Sequence, residues 1–210
     1  MAREKKKFPT GLSKKGFYWF FIFLTRWAIR MVYWLKIENL DHVPKEGRLV
    51  VFGNHISLMD PILLMFIIKR PVSFMSKIEL FSNKPLGWLL LRMGCIPIDR
   101  KGTQISALRA ATNVLNHDRA VGIFPEGKRS KDGKLGSGLD GIGMLVQKTK
   151  SPMIPAVILT KSRKPAPFTR TIVRFGEVID TAKFIEEGKN YADVTEEAMR
   201  QLTALIEEVK

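Results

Sequence analysis

The sequence predicts an α/β fold, a mostly parallel central sheet covered by helices, with an N-terminal helix lying in a membrane interface. Three observations carry this expectation. Six short β-branched or apolar runs recur along the chain: RLVVFG, VSFMSK, CIPID, AVGIFP, MIPAVIL and TIVRFGEVI. Longer segments with helical spacing lie between them, notably PILLMFIIK and TQISALRAATNVLNH, and such alternation implies strands buried on both faces of a parallel sheet. The third is an amino terminus that is both basic and aromatic. At 210 residues and 45% hydrophobic content, the chain suffices for one domain with a full core.

Residues 1–39 read as a basic amino terminus with an amphipathic helix, and residues 40–210 as the single folded domain. The first 16 residues hold Arg3, Lys5, Lys6, Lys7, Lys14 and Lys15 against one acid, Glu4. Nine of the 20 aromatics then fall between Phe17 and Trp34. A spanning helix needs roughly 20 mostly apolar residues, whereas this run is interrupted by Thr25, Arg26 and Arg30. On a helical projection Phe17, Phe20, Phe21, Leu24, Trp27, Ala28, Met31 and Leu35 share one side, with Arg26, Arg30 and Tyr33 opposite. That pattern predicts a helix in the plane of the interface, its lysines on anionic lipid. No small-residue cleavage site follows, which disfavours a signal peptide.

A turn-like stretch, ENLDHVPKEG, leads into the first run, and Asp60 before Pro61 predicts a capped helix start. The last segment, DVTEEAMRQLTALIEEVK, has Asp193 and Glu196 at capping-box spacing and an apolar stripe of Ala198, Leu202, Leu205 and Val209, so it predicts a closing helix.

Net charge is +15; the acidic tail from Asp180 onward carries −4, leaving +19 on the first 179 residues. So one-sided an excess points to an anionic partner. The single cysteine, Cys95, excludes an internal disulfide and a cysteine-built zinc site, and its GCIPID setting reads as strand core.

His55 and Asp60 lie in FGNHISLMDP, between a strand ending at Gly53 and the helix start. A loop there can bend the imidazole back onto the carboxylate, which would hold one ring nitrogen protonated and free the other as a base. Ser57 is a conceivable alternative. Two further loops follow apolar runs in the same way. CIPIDRKG delivers Arg100, and VGIFPEGKRSKDGK delivers Glu126, Gly127, Lys128, Arg129 and Lys131. Arginine can grip a phosphate bidentately, while Glu126 could orient Arg129 or accept a substrate hydroxyl. In a parallel sheet all three loops emerge at one edge, where ligands bind.

With those residues in view, the stretch from roughly Leu40 to Ile158 resembles the glycerophospholipid acyltransferases. NHISLMD is similar to the family's first block, and KIELFSNKPLGWLLLRMGCIPIDR to its second, with Lys77, Glu79, Pro85, Gly87, Gly94 and Arg100 at familiar places. FPEGKRS resembles the third block and SPMIPAVI, centred on Pro155, the fourth. Lys128 departs from the family, which usually has a small residue there. The resemblance implies that His55 is a general base with Asp60 its partner, and that Arg100, Glu126, Gly127 and Arg129 bind glycerol phosphate; Lys77 joins them as a substrate-binding candidate, and Lys128, despite the departure, is a further cation that would suit a phosphate. It implies acyl transfer to lysophosphatidic acid from acyl-CoA or acyl carrier protein, with no metal or cofactor, at the cytoplasmic face of a membrane as a peripheral or monotopic protein. Glycerol phosphate or another lysophospholipid is an alternative acceptor. A non-catalytic basic module binding membrane or nucleic acid is a remoter alternative. The aromatics argue against nucleic acid, because they cluster in one apolar helix rather than alternating with basic residues on strands.

Overall fold

The computed structural model describes residues 15–99, 104–161 and 164–208. In chain order the elements are α1 (Lys15–Val32), β1 (Leu35–Glu38), β2 (Leu49–Gly53), α2 (Asp60–Ile67), β3 (Val72–Lys77), α3 (Lys84–Arg92) and β4 (Ile96–Ile98). They continue with α4 (Gln104–Asn116), β5 (Ala120–Ile123), α5 (Gly141–Thr149), β6 (Met153–Thr160), β7 (Thr171–Phe175), α6 (Ala182–Glu186) and α7 (Tyr191–Glu207). The seven strands form one sheet in the order β1-β7-β6-β2-β5-β3-β4. Every pairing is parallel except β6 with β7.

All six predicted runs are strands. Their near-continuous apolar character follows from burial on both faces. In β2, Leu49 and Val51 face a core shared with α1 and α2, while Val50 and Phe52 face a second core shared with α4, α5 and α7. The sheet also takes in residues 35–38, which the sequence reading left in the amino-terminal segment: Leu35 opens β1 and pairs with Thr171 instead of ending the helical stripe.

Gly53 ends β2 where the neighbouring strand comes close. A Cβ there would lie 2.4 Å from the carbonyl oxygen of Ala156. Gly53→Ala is therefore expected to force β2 from β6 and cost about 2–4 kcal/mol of stability, measured by urea unfolding; an unchanged midpoint would contradict this packing.

Helix α1 differs from its projection. Ile22 and Tyr33 are buried against the core, with Ile29 and Val32 packed beside them. Tyr33, expected beside the arginines on the polar side, is thus a core residue. The outward face is apolar: Phe20, Phe23, Trp27 and Met31 are all exposed. The side chains of Phe17, Phe21 and Leu24 lie outside the described set, as do the lysines of residues 1–15. Among the described residues, no helix is long and apolar enough to cross a membrane.

Two caps also differ. Helix α7 begins at Tyr191, and its capping box is Asn190 with Asp193 rather than Asp193 with Glu196. Ala198, Leu202 and Leu205 of its expected stripe are buried, and Val209 is outside the described residues. Asp60 is the first residue of α2 instead of its cap, the cap position falling to Met59.

Candidate active site

Strand β2 is the fourth of the seven, flanked by β6 and β5, so the loops after β2 and β5 emerge side by side. The loop after β2 is fastened at its first residue. Buried Asn54 acts as an extra rung of the ladder, its amide nitrogen donating to the Ile158 carbonyl (3.0 Å) and its oxygen accepting from the Ile158 amide (2.8 Å).

His55 follows, and the chain does bend it onto Asp60: Nδ1 lies 2.8 Å from Oδ2. The same oxygen accepts the amides of Ile56 and Ser57, each at 2.7 Å. Asp60 is fully buried, while the His55 side chain keeps 13% of its surface exposed. With the carboxylate oxygen as acceptor, Nδ1–H is the donor of this bond, and in the neutral ring that tautomer leaves Nε2 with its lone pair. The Ser57 hydroxyl accepts the Met59 amide at 3.2 Å and so braces the turn.

The imidazole lies flat on Phe124, with ring centroids 4.2 Å apart and planes 12° from parallel. Phe124 in turn packs on Phe74 at 5.7 Å. Gly122 makes room for that ring, since a Cβ there would fall 2.1 Å from Phe74.

The loop after β5 wraps around His55. Buried Glu126 accepts the His55 amide on Oε1 (2.8 Å) and the Gly136 amide on Oε2 (2.9 Å). The Ser130 amide donates to the His55 carbonyl at 2.7 Å. Each Glu126 oxygen thus holds a backbone amide, tying the loop after β5 to His55 and to Gly136. Gly127 has φ of 65°, a conformation that suits glycine, and its amide donates to the Phe124 carbonyl at 3.0 Å.

Beyond it, Lys128, Arg129, Lys131 and Lys134 are all exposed. Asp132 shapes this turn, accepting from the Lys134 amide (3.1 Å) and the Ser130 hydroxyl (2.9 Å). Those two donors hold its carboxyl below the usual value, the Lys134 amide foremost. Not every cation is outward: Arg70 is buried and donates to the carbonyls of Pro44, Glu46 and Gly47.

Of the expected site residues, the structure joins His55, Asp60, Glu126 and Gly127 in one bonded unit, with Lys128 and Arg129 on the adjoining turn. Lys77 ends β3, two strands from β2 at the same edge, and is exposed. Arg100 lies outside the described residues; β4 ends at Ile98. Asn54, Phe124 and Ser130 were not anticipated. The only signal available was position, directly beside His55 or inside FPEGKRS. Cys95 is buried, and burial pushes its thiol up to about 11, consistent with a core role.

An α/β sheet here carries a histidine–carboxylate pair in the loop after β2, beside a cationic turn in the loop after β5. The sequence profile of the Acyltransferase family matches residues 35–159, and the chain belongs to that family. A chloroplastic 1-acyl-sn-glycerol-3-phosphate acyltransferase of Arabidopsis thaliana is 29% identical over 154 residues, 72% of this chain and 43% of the relative. The 1-acyl-sn-glycerol-3-phosphate acyltransferase of Bacillus subtilis is 32% identical over 124 residues, 58% of this chain and 61% of the relative. The chain thus spans about half the length of the curated relatives it matches. The fold is also that of the 1-acyl-sn-glycerophosphate acyltransferase PlsC from Thermotoga maritima. That match has a TM-score of 0.69 and 24% identity, covering 91% of this chain and 88% of the other.

Proposed function

We propose that the protein transfers a fatty acyl group from a thioester, on coenzyme A or acyl carrier protein, to the sn-2 hydroxyl of 1-acylglycerol 3-phosphate. The observation that carries this reading is the His55–Asp60 pair, which leaves Nε2 as a partly exposed base beside a cationic turn. Family membership and the names of the relatives support the substrate class. The hydroxyl proton passes to Nε2 as the oxygen attacks the thioester carbon. The tetrahedral intermediate then expels the thiolate, which takes the proton from the imidazolium, giving phosphatidic acid and a free thiol. Asp60 stabilises the imidazolium in between. No acyl-enzyme forms.

In this reading Arg129 and Lys128 hold the acceptor's phosphate, with Arg100 and Lys77 from the neighbouring strand ends. Holding the headgroup places the hydroxyl at the base, an effect worth several kcal/mol of barrier. Thiol release is the direct test. Lysophosphatidic acid should support it and neutral lysolipids should not; the reverse result would redirect the acceptor, and glycerol 3-phosphate as the better acceptor would move it to the water-soluble substrate. Arg129→Ala is expected to raise the KM for lysophosphatidic acid about tenfold or more with a smaller change in kcat, and an unchanged KM would remove Arg129 from the phosphate site.

The acceptor and the acyl chain favour an enzyme at a membrane surface, and the exposed apolar face of α1 supports attachment there. Deleting α1 would also uncover the core beneath Ile22 and Tyr33, so the better test is Phe23→Ser combined with Trp27→Ser on the outward face. That pair is expected to weaken binding to anionic vesicles at least tenfold, on the order of the loss of two interfacial aromatics, with little change in Tm. Undiminished binding would exclude α1 as the anchor.

A further inference from the structure

Two of the five non-glycine residues with positive φ among those described are large aromatics, Trp34 at 39° and Phe168 at 60°. A bulky side chain in this region is an outlier that the surrounding structure must impose. Burial does not account for either residue, since Trp34 is 60% exposed and Phe168 69%.

Phe168 stands in a turn closed by the Thr169 amide donating to the Ala166 carbonyl at 3.2 Å. Proline at the second position and positive φ at the third are the marks of a type II turn, whose third position ordinarily takes glycine. The turn is pinned to the end of α1, because the Phe168 amide donates to the Val32 carbonyl at 2.6 Å. Trp34 follows Val32 by two residues, and Trp27, Met31 and Trp34 continue the exposed stripe at steps of four and three.

The location is at the working edge of the sheet. Thr160 and Leu35 both pair with Thr171, and Ile158 is bonded to Asn54 beside His55. Trp34 and Phe168 therefore flank the same end of the sheet as His55, on the far side of β6. Their neighbours along the chain are basic: Lys161, Lys164 and Arg170 are exposed, and no acidic residue occurs between Glu4 and Glu38.

We propose that Phe168 and Trp34 form a second lipid anchor that inserts between the headgroups of an anionic bilayer and fixes the tilt at which the His55 cleft meets it. The proposal rests on the membrane reading of α1. Exposed aromatic rings whose neighbours along the chain are basic rather than acidic suit an anionic interface, and the patch continues the outward face of α1.

The test is co-sedimentation of the full chain with vesicles of mixed phosphatidylglycerol and phosphatidylcholine. Phe168→Gly is expected to lower vesicle affinity about tenfold while Tm stays the same or rises, because glycine adopts the turn freely. Phe168→Trp should bind as well as the wild type. Turnover on detergent-dispersed lysophosphatidic acid should be unchanged in both variants. Wild-type affinity in Phe168→Gly would overturn the proposal, and so would a fall in its Tm, which would mark the ring as structural. A concentration-dependent dimer abolished by Phe168→Gly, with vesicle binding intact, would assign the patch to a second copy of the chain instead. Wild-type protein that ignores vesicles altogether would sink the membrane reading itself, whereas loss confined to the Phe23 and Trp27 variant would sink only the second anchor.

Discussion

His55→Ala is expected to reduce thiol release about 10³-fold, the middle of the range for a positioned general base, with Tm lowered by only a few degrees. The small stability effect follows from how the loop is held. His55 contributes its backbone to the loop after β5, accepting from Ser130 and donating to Glu126, and alanine keeps both bonds. Asp60 keeps the amides of Ile56 and Ser57. What is lost is the imidazole, with its bond to Asp60 and its stacking on Phe124. Wild-type turnover in this variant, measured with the fold verified by circular dichroism, would dismiss the imidazole as the base.

Asp60 carries the second large effect, and two substitutions divide its roles. Asp60→Ala leaves two backbone amides without their acceptor, one of them on buried Ile56. At about 1–3 kcal/mol for each buried unsatisfied donor, the loss should be on the order of 2–4 kcal/mol. Activity should fall about 10²–10⁴-fold, because the imidazole loses both tautomer control and its counter-charge. Asp60→Asn keeps an oxygen for the two amides and removes the charge. It should therefore lose comparable activity at a much smaller cost in unfolding free energy. Full turnover in Asp60→Asn would mean that the carboxylate serves the loop alone.

How much of this was legible in the sequence depended on the range of the interactions. Runs such as LVVFG and MIPAVIL declared themselves because both faces of a strand are covered, which leaves no polar alternation to mislead. Residues 35–38 did not, since LKIE is only partly covered and follows a helix whose stripe Leu35 extends on a helical projection. Tyr33 was misplaced because helical projection ranks residues by polarity, while packing against α2 gives the helix a second apolar face. Asp60 and Asn190 show the same limit at helix starts, where several residues of the right chemistry lie within one turn and backbone geometry chooses between them. The His55–Asp60 pairing was readable as a possibility, since both partners sit in one short loop. Phe124 and Glu126 were not readable in their observed roles, because each acts across a sequence separation of about seventy residues.

The backbone ties between the two strand-end loops carry a consequence for selectivity. Ser130 and Glu126 grip His55 from either side, so the basic turn and the imidazole move as one body. On the proposed reaction, the spacing between phosphate grip and proton acceptor is then set when the chain folds, before any lipid arrives. Such a fixture works as a caliper: an acceptor whose hydroxyl and phosphate are separated by one carbon more or less would be held firmly and yet react slowly.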